Sequence, residues 1–113
     1  MDLDKSFISG SIPLLVMKLL EDGDLYGYEM IEELRRRSDD TFHLKAGTLY
    51  PLLHGLEEKG FVTAYEQAAA SGKSRRYYHL TEKGRELFYE NQADWRKYRS
   101  IISELFGMEA ASK

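Results

Sequence analysis

Phe88, Asn91, Trp95, Tyr98, Ile102 and Leu105 recur at steps of three and four. That is the spacing of a heptad seam, where one helix face meets a partner. A helix from Thr81 to Phe106 would run roughly 39 Å at ~1.5 Å per residue. The chain has 113 residues, enough for one small domain with one core. Three short helices and a hairpin cannot cover a helix of that length. Its far half needs another surface, most simply a second copy of the chain.

A second stripe narrows the choice further. Leu49, Leu52, Leu53 and Leu56 fall at i, i+3, i+4 and i+7, one apolar face of a helix. The opposite face holds Gly47, Tyr50, Pro51 and His54. Gly and Pro weaken helices, so a helix that only fills a surface rarely carries them there. This helix starts either at an N-cap Thr48, with Pro51 in its first turn, or near Ala46 with the proline tolerated. Gly60 caps its end.

The other elements follow from local signals. Ser11 caps a first helix, with Pro13 in its first turn, and Gly23 stops it. A second helix starts near Leu25 or Tyr26, and Gly27 permits close helix contact on its inner face. Arg35, Arg36 and Arg37 end it, which suits the helix dipole. The bland reading of this run is a solvated helix end. The runs FVTAYE and RRYYHL are β-prone and flank QAAASGKS, a hairpin with a long tip. Tyr78 and Leu80 share the inward face of the return strand. Thr81 and Gly84 open the last helix.

Composition excludes several classes. Cysteine is absent, so disulfides and thiolate metal sites are impossible. The start, MDLDK, lacks a signal-peptide n-region, and Ile12–Met17 is too short an apolar run to span a bilayer. A cytoplasmic protein without a membrane segment is expected. His43 and His79 have no partner at metal-ligand spacing. No carboxylate pair or ordered Ser, His and Asp set suggests an enzyme, and no cofactor or metal is expected.

Net charge is −3, but it is unevenly spread. Residues 1–44 hold ten acids and five bases, net −5; residues 45–79 hold five bases and three acids, net +2; residues 80–113 balance at zero. Lys73, Arg75 and Arg76 lie at or just past the hairpin tip.

Helix, helix, helix, hairpin, long helix is the order of a winged helix-turn-helix. The expected fold is therefore mainly α with a small β-hairpin. Residues 1–80 form a winged helix-turn-helix DNA-binding domain, 81–108 a long C-terminal dimerisation helix and 109–113 a flexible tail. In that motif the second helix enters the major groove of double-stranded DNA, led by its N-terminal residues. Gly47 and Pro51 lack bulk there, and Lys45, Thr48, Tyr50 and His54 offer charge, donors and acceptors. Lys73, Ser74, Arg75 and Arg76 of the wing can reach phosphates or an adjacent minor groove. Arg76 has a second option, pairing with Glu57 or Glu58. In a homodimer the seam brings two copies of Trp95 together near Phe88 and Tyr98, with Leu15 and Leu19 of the first helix as the other wall. Large aromatics at a symmetry axis leave a gap that a flat ligand can fill by stacking. A different class also fits: a winged-helix protein–protein module without DNA binding, which the acidic first third and the pair Glu57 and Glu58 favour.

LYGYEMIEEL, AGTLYPLLHGLEEKGFV and GKSRRYYHLTEKG together resemble the PadR family of bacterial transcription regulators. The short chain with one C-terminal helix is similar to its compact subgroup, and the resemblance spans roughly residues 10–106. It implies a homodimeric repressor on a pseudo-palindromic operator, released by a small aromatic or drug-like effector. In multidrug-sensing members a Trp on the last helix stacks on flat ligands, and Trp95 matches that position. Those members carry an acid one turn later, where this chain has Arg99. The departure favours an anionic or neutral aromatic over a cationic drug.

Overall fold

The structure, a computed structural model, describes residues 5–108, with side chains from residue 12 onward. Helix α1 covers Lys5–Glu21, strand β1 Leu25–Tyr26, α2 Gly27–Arg37 and α3 Ala46–Glu58; β2 covers Val62–Ala68, β3 Ser74–Leu80 and α4 Glu82–Leu105. The sheet order is β1-β3-β2, antiparallel throughout, with Tyr65 and Tyr26 both opposite Tyr77. This is a winged helix-turn-helix with a long C-terminal helix.

The apolar stripes do what their spacing requires. Val16, Leu19 and Leu20 of α1, Met30 and Leu34 of α2, and Leu49, Leu53 and Leu56 of α3 meet in one core. Tyr78 and Leu80 of β3 close it from the sheet side, and Phe88 from α4.

Two starts differ from the sequence reading. Helix α1 begins at Lys5, so Ser11 is not its N-cap and Pro13 lies well inside it. A first-turn proline loses no hydrogen bond, whereas an interior one removes a donor and crowds the preceding turn. A helix whose apolar face is anchored in a core can absorb that cost and continue. Helix α3 takes the longer of its two options: Lys45 is the N-cap and Pro51 is interior. The two prolines flank one open groove of about 340 Å³ between α1, α3 and α4, with Leu52, Phe61 and Leu87 among its walls. Strand β1 has no counterpart in the sequence reading. Two residues carry no periodicity, and only pairing with β3 makes them a strand.

Turn chemistry sets the angles between helices. Asp39 and Asp40 both adopt left-handed backbone, at φ 54 and 64, which aspartate tolerates better than bulkier residues. Asp40 N–H donates to the Arg35 carbonyl at 2.9 Å, and Phe42 N–H to Ser38 Oγ at 2.9 Å. Gly60 at φ +81 ends α3, with Phe61 N–H returning to the Leu56 carbonyl at 2.9 Å. Thr81 caps α4 by accepting from Gly84 N–H at 3.0 Å. Residues 109–113, the expected tail, lie outside the described residues.

Candidate nucleic-acid interface

Helix α3 presents its first turn to solvent. Lys45, Ala46, Gly47 and Thr48 are all exposed, and no side chain caps the helix. Its free amides and the positive end of its dipole therefore point outward with Lys45. A Cβ built at Gly47 meets nothing within 4 Å, so packing inside the chain does not demand glycine there. His54 is exposed two turns along the same face.

Tyr50 does more than its sequence position suggested. It is 43% exposed, yet its phenol lies across Gly27 at the start of α2. A Cβ at Gly27 would stand 2.1 Å from the Tyr50 hydroxyl and 2.6 Å from the ring carbon bearing it. Gly27 thus gives the close contact expected of it, and that contact fixes α3 against α2. The exposed edge of the Tyr50 ring remains on the outer face.

The wing cations differ in availability. Arg76 is exposed but engaged: its guanidinium donates to Glu57 of α3 at 3.0 Å and lies 3.7 Å from Glu66. That pairing realises the second option read from sequence, and it ties the wing to α3. Arg75 faces the other way, 4.5 Å above the Tyr26 ring, a cation–π contact that leaves it half-buried. Ser74 Oγ donates to Glu66 at 2.6 Å. Lys73 at the turn is exposed, and among the described residues neither Lys73 nor Lys45 forms an ion pair.

The Arg run of α2 is occupied locally. Arg35 pairs with Glu32 and Asp40, Arg36 with Glu33, and Arg37 with Asp22 and Glu33. The Arg36 and Arg37 guanidiniums pull the Glu33 carboxyl down to about 2. These arginines are spent on carboxylates of their own chain, in line with the bland reading.

One cluster escaped the sequence reading. Tyr26 meets Tyr77 edge-on at 5.4 Å, and Tyr77 stacks on Tyr65 at 5.7 Å, forming an aromatic row on the outer sheet face. Tyr65 donates its hydroxyl to Asp24 at 2.7 Å, and His79 Nδ1 lies 2.9 Å from the same carboxylate. Burial pushes the Asp24 carboxyl up, but these two bonds outweigh it and hold it below its usual range. The alternation of Arg75, Tyr77 and His79 along β3 was the available signal. Asp24, 55 residues from His79, carried none. Among the described residues no group of three His, Cys, Asp or Glu could hold a metal ion.

The residues expected at a dimer pocket separate into three sets. Trp95 and Tyr98 stack at 5.7 Å on α4, and Arg99 is exposed one turn past Trp95. Leu19 and Phe88 sit in the core, 2% and 1% exposed. Leu15 lines a different groove, with Leu34 and Phe42.

The profile of the PadR-like family of transcriptional regulators matches residues 16–90. The chain belongs to this family. A transcriptional regulator of Mycobacterium tuberculosis is 30% identical to this PadR-like chain over 103 residues, 91% of this chain and 90% of that one. A PadR family transcription regulator of Clostridium difficile superposes with a TM-score of 0.77 at 31% identity, covering 86% of this chain and 99% of that one. A transcriptional regulator of Clostridium thermocellum gives 0.81 at 27% identity, covering 88% and 97%. The PadR-like match takes in all of α2, α3 and the wing. Among the described residues no helix is long and apolar enough to cross a membrane.

Proposed function

We propose that two copies of this PadR-like chain join along α4 and set two α3 helices into a pseudo-palindromic DNA operator, as a cytoplasmic repressor rather than an enzyme. The observation that carries this reading is the uncapped, exposed start of α3 beside a wing whose Lys73 makes no ion pair among the described residues. Base edges fall within reach of Thr48 and Tyr50, while Lys45, Lys73 and Arg75 meet phosphates. His54 extends the same face.

The dimer rests on exposed apolar surface. Tyr98, Ile101, Leu105, Phe106 and Met108 are 47–74% exposed at the far end of α4. Leaving that many large side chains in water is costly, since each full burial contributes roughly 1.5–3 kcal/mol. A second α4 covers them. The effector pocket then falls to Trp95, Tyr98 and Arg99 of α4, without Leu15, which lines another groove. An aromatic with neutral or anionic character suits Arg99. Trp95 is the only tryptophan, so its fluorescence reports this site alone. Planar aromatics are expected to quench it and to weaken operator binding together. Quenching without any change in DNA affinity would remove the sensor and leave the regulator.

The wing supplies affinity without sequence. Replacing Arg75 and Arg76 by Gln is expected to weaken binding to all duplexes alike. The slope of log affinity against log salt should flatten by about 0.9 for each phosphate that the variant no longer neutralises. Because Arg76 is shared with Glu57, most of the change should come from Arg75. An unchanged slope in the double variant would remove the wing from the interface.

Beside the acidic first third, the protein-module reading is favoured by the Arg76–Glu57 pair, which withdraws a wing cation from DNA. Binding to genomic fragments separates the two.

A further inference from the structure

We infer that Tyr26 is a positioning residue for DNA: its ring holds the Arg75 guanidinium ready for a backbone phosphate before the duplex arrives. The inference rests on the DNA-binding reading above.

The register of the sheet makes the contact. Tyr26 of β1 pairs with Tyr77 of β3. Arg75 is two residues from Tyr77, so it shares the outer face and is the diagonal neighbour of Tyr26, within reach of a long side chain. Its guanidinium carbon lies 4.5 Å from the centre of the Tyr26 ring. A ring face attracts a cation over roughly 6 Å. The short strand β1 thereby fixes the height of that ring against the wing.

The ring is braced from two sides. Tyr77 meets it edge-on at 5.4 Å and stacks in turn on Tyr65 at 5.7 Å, whose hydroxyl donates to Asp24 at 2.7 Å. Tyr26 N–H donates to Glu29 Oε1 at 3.1 Å and so fixes the backbone beneath the ring. The cation is ordered and still unspent. Arg35, Arg36, Arg37 and Arg76 all pair with carboxylates, whereas Arg75 makes no ion pair among the described residues. A guanidinium stacked by its face keeps its N–H groups in its own plane, where a phosphate can accept from them.

The location suits a phosphate. Tyr26 is the N-cap of α2, and the first helix of a helix-turn-helix crosses the DNA backbone. Gly27, the next residue, carries the Tyr50 ring of α3. The wing cation and the outer face of α3 are thus referenced to two adjacent residues. A free arginine gives up rotamers when it meets a phosphate, and one already held gives up fewer. The number of phosphates met is the same either way, so Tyr26 should affect affinity and not its salt dependence.

The test is a cycle of Tyr26→Leu and Arg75→Gln, titrated on one fixed duplex over a range of salt. Tyr26→Leu keeps bulk but has no ring face. It should weaken binding about five-fold, the weight of ordering one long side chain, and leave the slope of log affinity against log salt unchanged. Tyr26→Phe keeps the face and should bind as the wild type does. In an Arg75→Gln background, Tyr26→Leu should have no further effect. Proton NMR of the wild type adds a measurement that no misfolded variant can obscure. The ring current of Tyr26 should shift the Arg75 Nε proton upfield, in the free protein and on DNA alike. A loss from Tyr26→Leu that persists without Arg75 would overturn the inference, as would an upfield shift that vanishes on DNA. A flattened slope in Arg75→Gln alongside wild-type affinity in Tyr26→Leu would also overturn it and leave the wing on DNA. An unchanged slope in Arg75→Gln would overturn it together with the wing's place in the interface.

Discussion

Gly84→Ala is expected to destabilise the protein by about 3 kcal/mol, the upper range for forcing one methyl into a filled core. The reason is the identity of the atoms in the way. A Cβ there would stand 2.1 Å from the Phe61 carbonyl oxygen and 2.7 Å from Leu80 Cδ1. Backbone cannot step aside as a side-chain tip can. Alanine's better helix propensity returns at most about 1 kcal/mol, so the clash wins. For a chain of this size that is a drop of about 10 °C in melting temperature. Gly47→Ala is the control: its Cβ meets nothing within 4 Å, so it should leave stability equal or slightly raised. Equal melting temperatures for the two variants would refute the packing at the base of α4.

Thr48→Ala is expected to lower specific DNA binding by about ten- to a hundred-fold, the weight of one base contact, and to leave non-specific binding nearly unchanged. Thr48 is exposed in the first turn of α3 and lies outside the core, so its loss should not disturb folding. Tyr50→Ala should show the same loss with an added fall in stability, because the ring also packs over Gly27. Melting curves separate the two contributions. If specific and non-specific binding fall equally, these side chains only orient the protein on the phosphate backbone.

Much of the architecture was legible because the stripes are long and regular. Leu49, Leu52, Leu53 and Leu56 placed α3, and the inward alternation of Tyr78 and Leu80 gave the face of β3. The helix starts were less legible. Proline and serine preferences describe where a helix can begin without loss, and α1 and α3 both run through their prolines. The site was legible in its residue types and less so in their partners. Pairing with Glu57 is one of two options that the sequence leaves Arg76, and the pair is present at 3.0 Å. Arg75 over Tyr26, Tyr50 over Gly27 and Tyr89 with Glu21 join residues 49, 23 and 68 positions apart, and the first and last of these were wholly unsignalled. Gly27 had at least announced a close contact by lacking a side chain. Leu19 and Phe88 fit their helix stripes equally well as core or as pocket wall, and spacing alone cannot tell those faces apart.

Hydroxyl-radical footprinting of the wild-type protein on a self-selected duplex, with the mass of the complex taken by sedimentation, bears most directly on the central proposal. Two chains joined through α4 should give two protected patches related by a dyad, spaced by about one helical turn or a multiple of it. Sedimentation should find two chains per duplex, and Thr48→Ala should erase both patches at the concentration where the wild type protects them. A single patch from one bound chain, or wild-type protection by Thr48→Ala, would contradict a dimer that reads DNA through α3.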